Sequence, residues 1–463
     1  MAIFSDLSPD LIMELWERIL HPDDIDSFAL VSRRTHATGR IFLDENRRLK
    51  AQYSSVQTYY SRSCCNKPWG DLLRDILLDS RRGAYVQHLD IQSSHSHWQQ
   101  GYGSYRHPGN CHHDRYSETD MLLFKNAIRS STLRSRIDKW RLKQTLARGD
   151  EDPIIAILLT MLPELRSLKI DNVALKGTFQ TFQHIADSGS TGLLSKLEEV
   201  EISSVKHEIK GVSVFQPFAV FPSMKRLSCN NFQLDWSVGA AETRMPLQTS
   251  NISELTISGS GLDSKNLFGI LGAFKALKRF TFVRPANCRG FDPFWIRAAL
   301  LAYARHSLEY LVFKSPDDVE GERCVGSLQD FEKLRILKID HSSLVDPQRC
   351  ETGRTAACQH RVADYLPRTL EELVLCIDRS ELHDQVYDSM RSLLKAKTNG
   401  HLSFLNKLEF RLWFLGPRYD DVEPLLSEKL DDGLVNSWKT TCEQKGIILT
   451  VSRCDALNTC DAK

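Results

Sequence analysis

Leu334-Arg335-Ile336-Leu337-Lys338-Ile339 carries the pattern that decides the fold. Leu337 and Ile339 alternate with Ile336 and Lys338 as a strand with one buried face requires, and Leu334 anchors the approach three residues earlier. The same apolar-x-x-apolar-x-apolar arrangement recurs at Leu165/Leu168/Ile170, Leu197/Val200/Ile202, Leu308/Leu311/Phe313 and Leu370/Leu373/Leu375. Looser copies are Val86/Leu89/Ile91, Met224/Leu227/Cys229, Ile252/Leu255/Ile257, Leu277/Phe280/Phe282 and Leu405/Leu408/Phe410.

The last apolar residue of each copy stands at 91, 170, 202, 229, 257, 282, 313, 339, 375 and 410. After a first step of 79 residues (170 − 91), the steps run from 25 (282 − 257) to 36 (375 − 339). Helical segments fill the gaps. Asp152-Pro153 opens the apolar run Ile154 to Leu162, and Leu267 to Phe274, Phe294 to Arg305 and Leu382 to Lys395 are each apolar on one face. Strand then helix, repeated and stacked, predicts an α/β solenoid whose parallel strands line a concave wall. Over about residues 84 to 415 the array resembles leucine-rich repeats. It departs from that family where an Asn or Cys usually follows each strand, since Val173, Val205, Phe232 and Ser342 stand there. The competing reading is a doubly wound α/β domain, which ten copies in one register oppose.

Val435 to Gly446, followed by Ile447 to Val451, reads as a last helix and strand that cap the array. The solenoid is therefore expected over 84–453, with 454–463 as a flexible tail.

On a parallel-strand wall the residues between the buried ones face a partner. The first outward position runs Ser167, Glu199, Arg226, Glu254, Arg279, Tyr310, Ile336, Glu372 and Lys407. The second runs Lys169, Glu201, Ser228, Thr256, Thr281, Val312, Lys338, Val374 and Glu409. The amino-terminal half is polar and mixed in sign. Val283, Tyr310, Val312, Ile336 and Val374 are expected to form an apolar cluster further on. Either this cluster contacts a substrate with Tyr310 as anchor, or a loop or the carboxy-terminal segment covers it, or the register is off by one.

Ahead of the repeats, Ser8-Pro9-Asp10 has the residues of a helix start, and Leu11, Ile12, Leu15, Trp16, Ile19 and Leu20 form an apolar stripe behind it. His21-Pro22 ends that helix, and Pro22-Asp23-Asp24 opens a second with Ile25, Phe28 and Ala29 inward. Leu7-x-Pro9-x-Leu11-Ile12, then Pro22-Asp23-Asp24-Ile25, then Ala29-Leu30-Val31-Ser32-Arg33 resembles an F-box over about residues 5 to 40. The family often has Trp shortly after the last block, where this chain has Thr35 and His36. The resemblance implies docking on a Skp-type adaptor, and through it on a cullin, by Leu7, Pro9, Leu11, Ile12, Leu30 and Val31. An F-box before such repeats is similar to fungal substrate receptors of SCF ubiquitin ligases. The expected division is a helical F-box over 1–45, a helical linker over 46–83, and the solenoid.

The 463 residues carry 60 Lys+Arg against 59 Asp+Glu, a balance that does not favour nucleic acid. Twelve scattered cysteines without a CxxC suit reduced thiols, hence cytosol or nucleus. The most apolar run, Ile154 to Leu162, is too short for a membrane span, and no signal peptide is expected.

The long first step hides an insertion at about 92–150. His95, His97, His107, Cys111, His112 and His113 lie in it at a density that can bind zinc, but their spacing fits no standard finger, and a polar loop is the expectation. Met121 to Leu146 beyond it reads as helical, with Leu122, Leu123, Phe124, Ile128, Leu133, Ile137 and Trp140 as a packing face. No nucleophile elbow or phosphate-binding loop is found, so no catalytic residue, metal or cofactor is expected. The expected function is that of a non-catalytic receptor for a protein target. A repeat scaffold unconnected with ubiquitination is the alternative.

Overall fold

The computed structural model describes residues 7–19, 21–57, 68–92, 116–131, 136–148, 152–171, 176–188, 193–203, 215–231, 247–259, 264–284, 293–314, 324–344, 361–378, 384–414 and 432–455. The chain forms two compact units, Met1–Leu227 and Ser228–Lys463.

The first unit opens with four helices. The Ser8 hydroxyl accepts from the Leu11 N–H at the start of α1 (Pro9–Arg18), and His21 Nδ1 accepts from the Asp23 N–H at the start of α2 (Pro22–Ala29). Ser32 and Thr35 close a capping box on α3 (Arg33–Thr38), and α4 (Arg40–Tyr53) follows. Ile12, Trp16, Ile25, Ala29 and Leu43 are their core, with Leu7, Ile19, Phe28 and Phe42 packed against it. Trp16 meets Phe28 edge-on at 4.8 Å, stacks on Phe42 at 5.7 Å and donates its Nε1–H to the Thr35 carbonyl at 3.3 Å. Gly39, between α3 and α4, makes room for the indole, because a Cβ there would lie 2.0 Å from it.

Helix α4 runs across the boundary expected at 45/46. The next segment is also not a purely helical linker, since β1 (Ser55–Gln57) precedes α5 (Pro68–Leu78) and the 3-10 turn Ser80–Tyr85. Ser55-Val56-Gln57 is β-competent and pairs with β2 (His88–Gln92), so tertiary pairing makes it a strand.

The insertion carries α6 (Glu118–Ser130) and α7 (Arg136–Arg148) where one helix was expected. Phe124, Ile128, Leu142 and Leu146 are buried, but Leu122 and Trp140 are each 60% exposed. Each lies two residues from a buried neighbour, just over half a turn round the helix, and so faces away from the core. Leu133 and the histidine-rich stretch lie outside the described residues, as does the side chain of Ile137.

Helix α8 (Asp152–Leu159) is buried from Pro153 to its end. Then come β3 (Ser167–Asp171), α9 (Lys176–Ser188), β4 (Glu199–Ser203), α10 (Gln216–Ala219) and β5 (Arg226–Asn230). Leu89, Leu168 and Val200 are register partners, as are Ile91, Ile170 and Ile202.

The second unit contains β6 (Glu254–Ser258), α11 (Ser264–Gly272), β7 (Arg279–Val283), α12 (Pro293–Ala304), β8 (Tyr310–Lys314), β9 (Ile336–Asp340) and α13 (His341–Leu344). It ends with β10 (Glu372–Asp378), α14 (Asp384–Thr398), β11 (Lys407–Phe414), α15 (Asp432–Gln444) and β12 (Ile448–Asp455). One buried row reads Leu255, Phe280, Leu311, Leu337, Leu373, Leu408 and Leu449, and the next Ile257, Phe282, Phe313, Ile339, Leu375 and Phe410, ending on half-buried Val451. Phe282 and Phe313 stack at 5.8 Å.

Among the described residues, β1 to β4 and β6 to β12 run parallel to their neighbours, and the strands follow in chain order within each unit. Among the described strands neither unit has the reversal of strand order that marks a doubly wound sheet. The fold is mixed α/β and leucine-rich-repeat-like, and all ten copies read from the sequence are strands.

Candidate functional site

Two surfaces carry the residues singled out from the sequence. The first lies on α1 and at the end of α2. Leu11 is 49% exposed, Leu30 85% and Val31 54%, and Pro9 is exposed as well. Leu7 is half-buried against the helical core. Ile12 is fully buried, which removes it from the docking residues. The reason is helical geometry: Ile12 and Trp16 form the inward stripe, while Leu11 and Leu15, one residue earlier and about 100° round, form an outward one. The single broad stripe expected on α1 is therefore two. Leu15 and Ile41 also present apolar surface, a signal the pattern held but that reading by stripe alone missed.

Thr35, which with His36 stands where an F-box often has Trp, is fully buried. Its hydroxyl accepts from the Ser32 N–H at 2.9 Å, and its carbonyl receives Trp16. This position is used inside the helical core.

A cavity of about 200 Å³ lies where α2 and α4 meet the first repeats, lined in part by His21, Asp23, Lys50, Tyr85 and Glu164. Glu164 is buried and holds both His21 Nε2, at 3.1 Å, and Lys196 Nζ, at 2.5 Å. Because His21 Nδ1 already accepts from the Asp23 N–H, the ring hydrogen sits on Nε2 and donates to Glu164. Burial opposes ionisation of Glu164, yet the hydrogen bonds from Lys196 and His21 outweigh it and hold the carboxyl below its ordinary range. Tyr85 donates to Asn46 at 2.7 Å, and burial pushes its hydroxyl up to about 12. No local motif announces this junction, and the sequence reading did not find it.

The second surface is the strand wall. Its mixed charges are cross-strand ion pairs: Glu199–Arg226 at 2.7 Å, Glu372–Lys407 at 2.9 Å, Lys169–Glu201 at 3.4 Å and Glu254–Arg279 at 3.8 Å. One position before the strands, Glu198–Lys225 and Arg335–Glu371 pair likewise, at 2.8 and 2.6 Å. Opposite signs at one repeat position in successive copies were the signal for this. Glu409 and Arg411, nearly buried on β11, pair at 2.7 Å, with Ser452 Oγ donating to Glu409 at 3.1 Å. Burial raises the Glu409 carboxyl, but the Arg411 hydrogen bond and its neighbours hold it low.

The apolar cluster expected on this wall is divided. Val283, Tyr310 and Ile336 are half-buried, whereas Val312 and Val374 are buried at 3% and 0% exposure and are not available to a partner in this state. The register is as read. In their row Thr281 and Lys338 flank Val312, and Lys338 and Glu409 flank Val374. Two cations approach the Tyr310 ring, the Arg279 guanidinium carbon at 4.1 Å and the Lys338 Nζ at 5.5 Å from its centroid.

No described helix is long and apolar enough to cross a membrane. Among the described residues no group of three or more His, Cys, Asp and Glu side chains is set to hold a metal ion.

Residues 291–408 match the leucine-rich repeat domain family. The matched stretch contains α12, β8, β9 and β10, and thus Tyr310 and Lys338. No curated protein matches the chain. A leucine-rich repeat domain with a parallel-strand wall points to protein interaction.

Proposed function

We propose that this chain is the substrate-recognition subunit of a cullin-type ubiquitin ligase. In this reading the amino-terminal helices dock as an F-box on a Skp-type adaptor, and through it on a cullin, while the repeat wall holds a protein target. The observation that carries it is the exposure of Leu11, Leu30 and Val31 outside a helical core that is already closed around Trp16. Apolar side chains kept at the surface of a unit that does not need them for its own core suit docking.

The chain is non-catalytic in this reading. Ubiquitin passes to the target from an enzyme bound elsewhere on the assembly, and the receptor contributes proximity by tethering a target lysine near that enzyme. Neither nucleic acid nor membrane is a partner, and the protein works in cytosol or nucleus.

Co-purification of the full chain with a Skp-type adaptor and cullin tests this, beside a Leu11→Asp, Leu30→Asp double variant. Capture by the wild type and loss in the folded variant are the expected results. A wild type that captures neither protein favours a second reading, a repeat scaffold unconnected with ubiquitination. The burial of Thr35 where the family often has Trp is the observation on that side.

A further inference from the structure

We propose that two copies of this chain join edge to edge through β12, the last strand of the second unit, as an antiparallel pair across a two-fold axis at Thr450.

Strand β12 holds eight residues, Ile448 to Asp455, and each has a register partner on β11. Among the described residues no strand lies on the other side of β12. Ile448 donates its N–H to the Asn406 carbonyl at 2.8 Å, so its polar groups and those of Thr450 point at β11. Alternate residues of a parallel strand bond to opposite sides, so Leu449 and Val451 turn their N–H and C=O to the outer edge.

Edge strands are usually blunted by shortness, by Pro or Lys, or by a bulge. Strand β1, the edge strand of the first unit, has only three residues. In β12 none of these devices is present: residues 447–452 hold no Pro, Gly or charge, and the register with β11 runs without a break. The core is also unfinished at this end. Leu408 and Phe410 are 0% and 1% exposed, whereas Leu449 beside the first is 8% exposed and Val451 beside the second is half-buried. A strand laid against β12 satisfies the outer backbone groups and covers the end of both rows.

A second copy fits there because the strand is complementary to itself. In antiparallel pairing Leu449 lies opposite Val451 of the second copy, and both turn N–H and C=O to each other, as a hydrogen-bonded pair requires. The two-fold repeats that pair on the other side of the axis, so Leu449 and Val451 of both copies extend the core rows. Exposed Thr450 then faces its own counterpart, at a Cα separation of about 4.5 Å. No like charges meet within 447–452, and a net charge of +1 does not hold two copies apart.

Sedimentation velocity of the full chain tests this. The paired surface is small, so the change from monomer to dimer is expected over roughly 1–100 µM. Thr450→Lys and Thr450→Glu each set like charges across the axis and should weaken the dimer at least about tenfold, and an equimolar mixture of the two should restore it. The Thr450 side chain is exposed, so neither change reaches the core. Val451→Pro removes an outer N–H, leaves the bonds to β11 in place and should also give monomer, with thermal melting as the check on its fold.

A wild type that stays monomeric throughout overturns the proposal and leaves the edge to a strand of another protein. A dimer that persists in the folded Thr450 and Val451 variants also overturns it, because the contact then lies elsewhere. So does a mixture of the Lys and Glu variants that stays monomeric, since Thr450 does not then meet its counterpart.

Discussion

His21 Nε2 stands 3.1 Å from Glu164 Oε1, which ties the first residue before α2 to the turn before β3. Lys196 holds the other carboxylate oxygen of Glu164, so one buried side chain joins the amino-terminal helices to two successive repeats.

Glu164→Gln is expected to cost about 2 kcal/mol of stability at neutral pH, the scale of charge-assisted hydrogen bonds to a buried group. The carboxyl is held below its ordinary value of 4.5 in the folded chain. A depressed folded-state pKa stabilises above the unfolded value and ceases to do so as pH falls through the folded one. The gap between wild type and variant in urea midpoint should therefore close in acid. A gap that persists unchanged there contradicts the assignment.

Gly39→Ala should loosen the helical core, since the added methyl lands on the Trp16 ring at 2.0 Å. Overpacking of this kind costs roughly 1–3 kcal/mol. Calorimetry of the variant checks it, and an unchanged unfolding temperature would show that Trp16 has room to move.

The two stripes of α1 give opposite outcomes. Leu11→Asp with Leu30→Asp should leave stability within about 1 kcal/mol of wild type, because both side chains already face water. Ile12→Asp places a carboxylate where no solvent reaches and should cost several kcal/mol. Circular dichroism melts of the two variants separate them. Equal loss in both would mean that Leu11 and Leu30 are structural.

On the wall, Val374→Ala should behave as a core truncation, costing on the order of 2 kcal/mol, and Tyr310→Ala should cost less. Denaturant titration of each variant decides, and the reverse ranking would place Tyr310 in the core.

The cross-strand pairs are exposed and contribute little individually. Glu199→Gln should change stability by less than about 1 kcal/mol, and the change should vanish in high salt. A salt-independent loss would point to a role other than the pair with Arg226.

Strand positions and their stacking order are legible in the residues alone. Leu337 and Ile339 alternate with Ile336 and Lys338, and the spacing to Leu311 and Leu373 repeats. Alternation and spacing are local properties of the chain, so they survive without knowledge of what packs above. Leu334 and its counterparts mark where each strand begins for the same reason. The outward positions on the wall, and the helix starts at Ser8 and Pro22, belong to this class too.

Other features depend on neighbours distant in sequence. Both Ile12 and Leu11 read as apolar on α1, and the room Gly39 gives Trp16 selects the face that turns inward. Val312 and Val374 occupy outward positions, yet the packed fold leaves them 3% and 0% exposed. Glu164 meets His21 across more than a hundred residues of chain (164 − 21 = 143). Periodicity specifies which side of an element is apolar. Burial is a property of the volume around a side chain, and only the packed fold sets that.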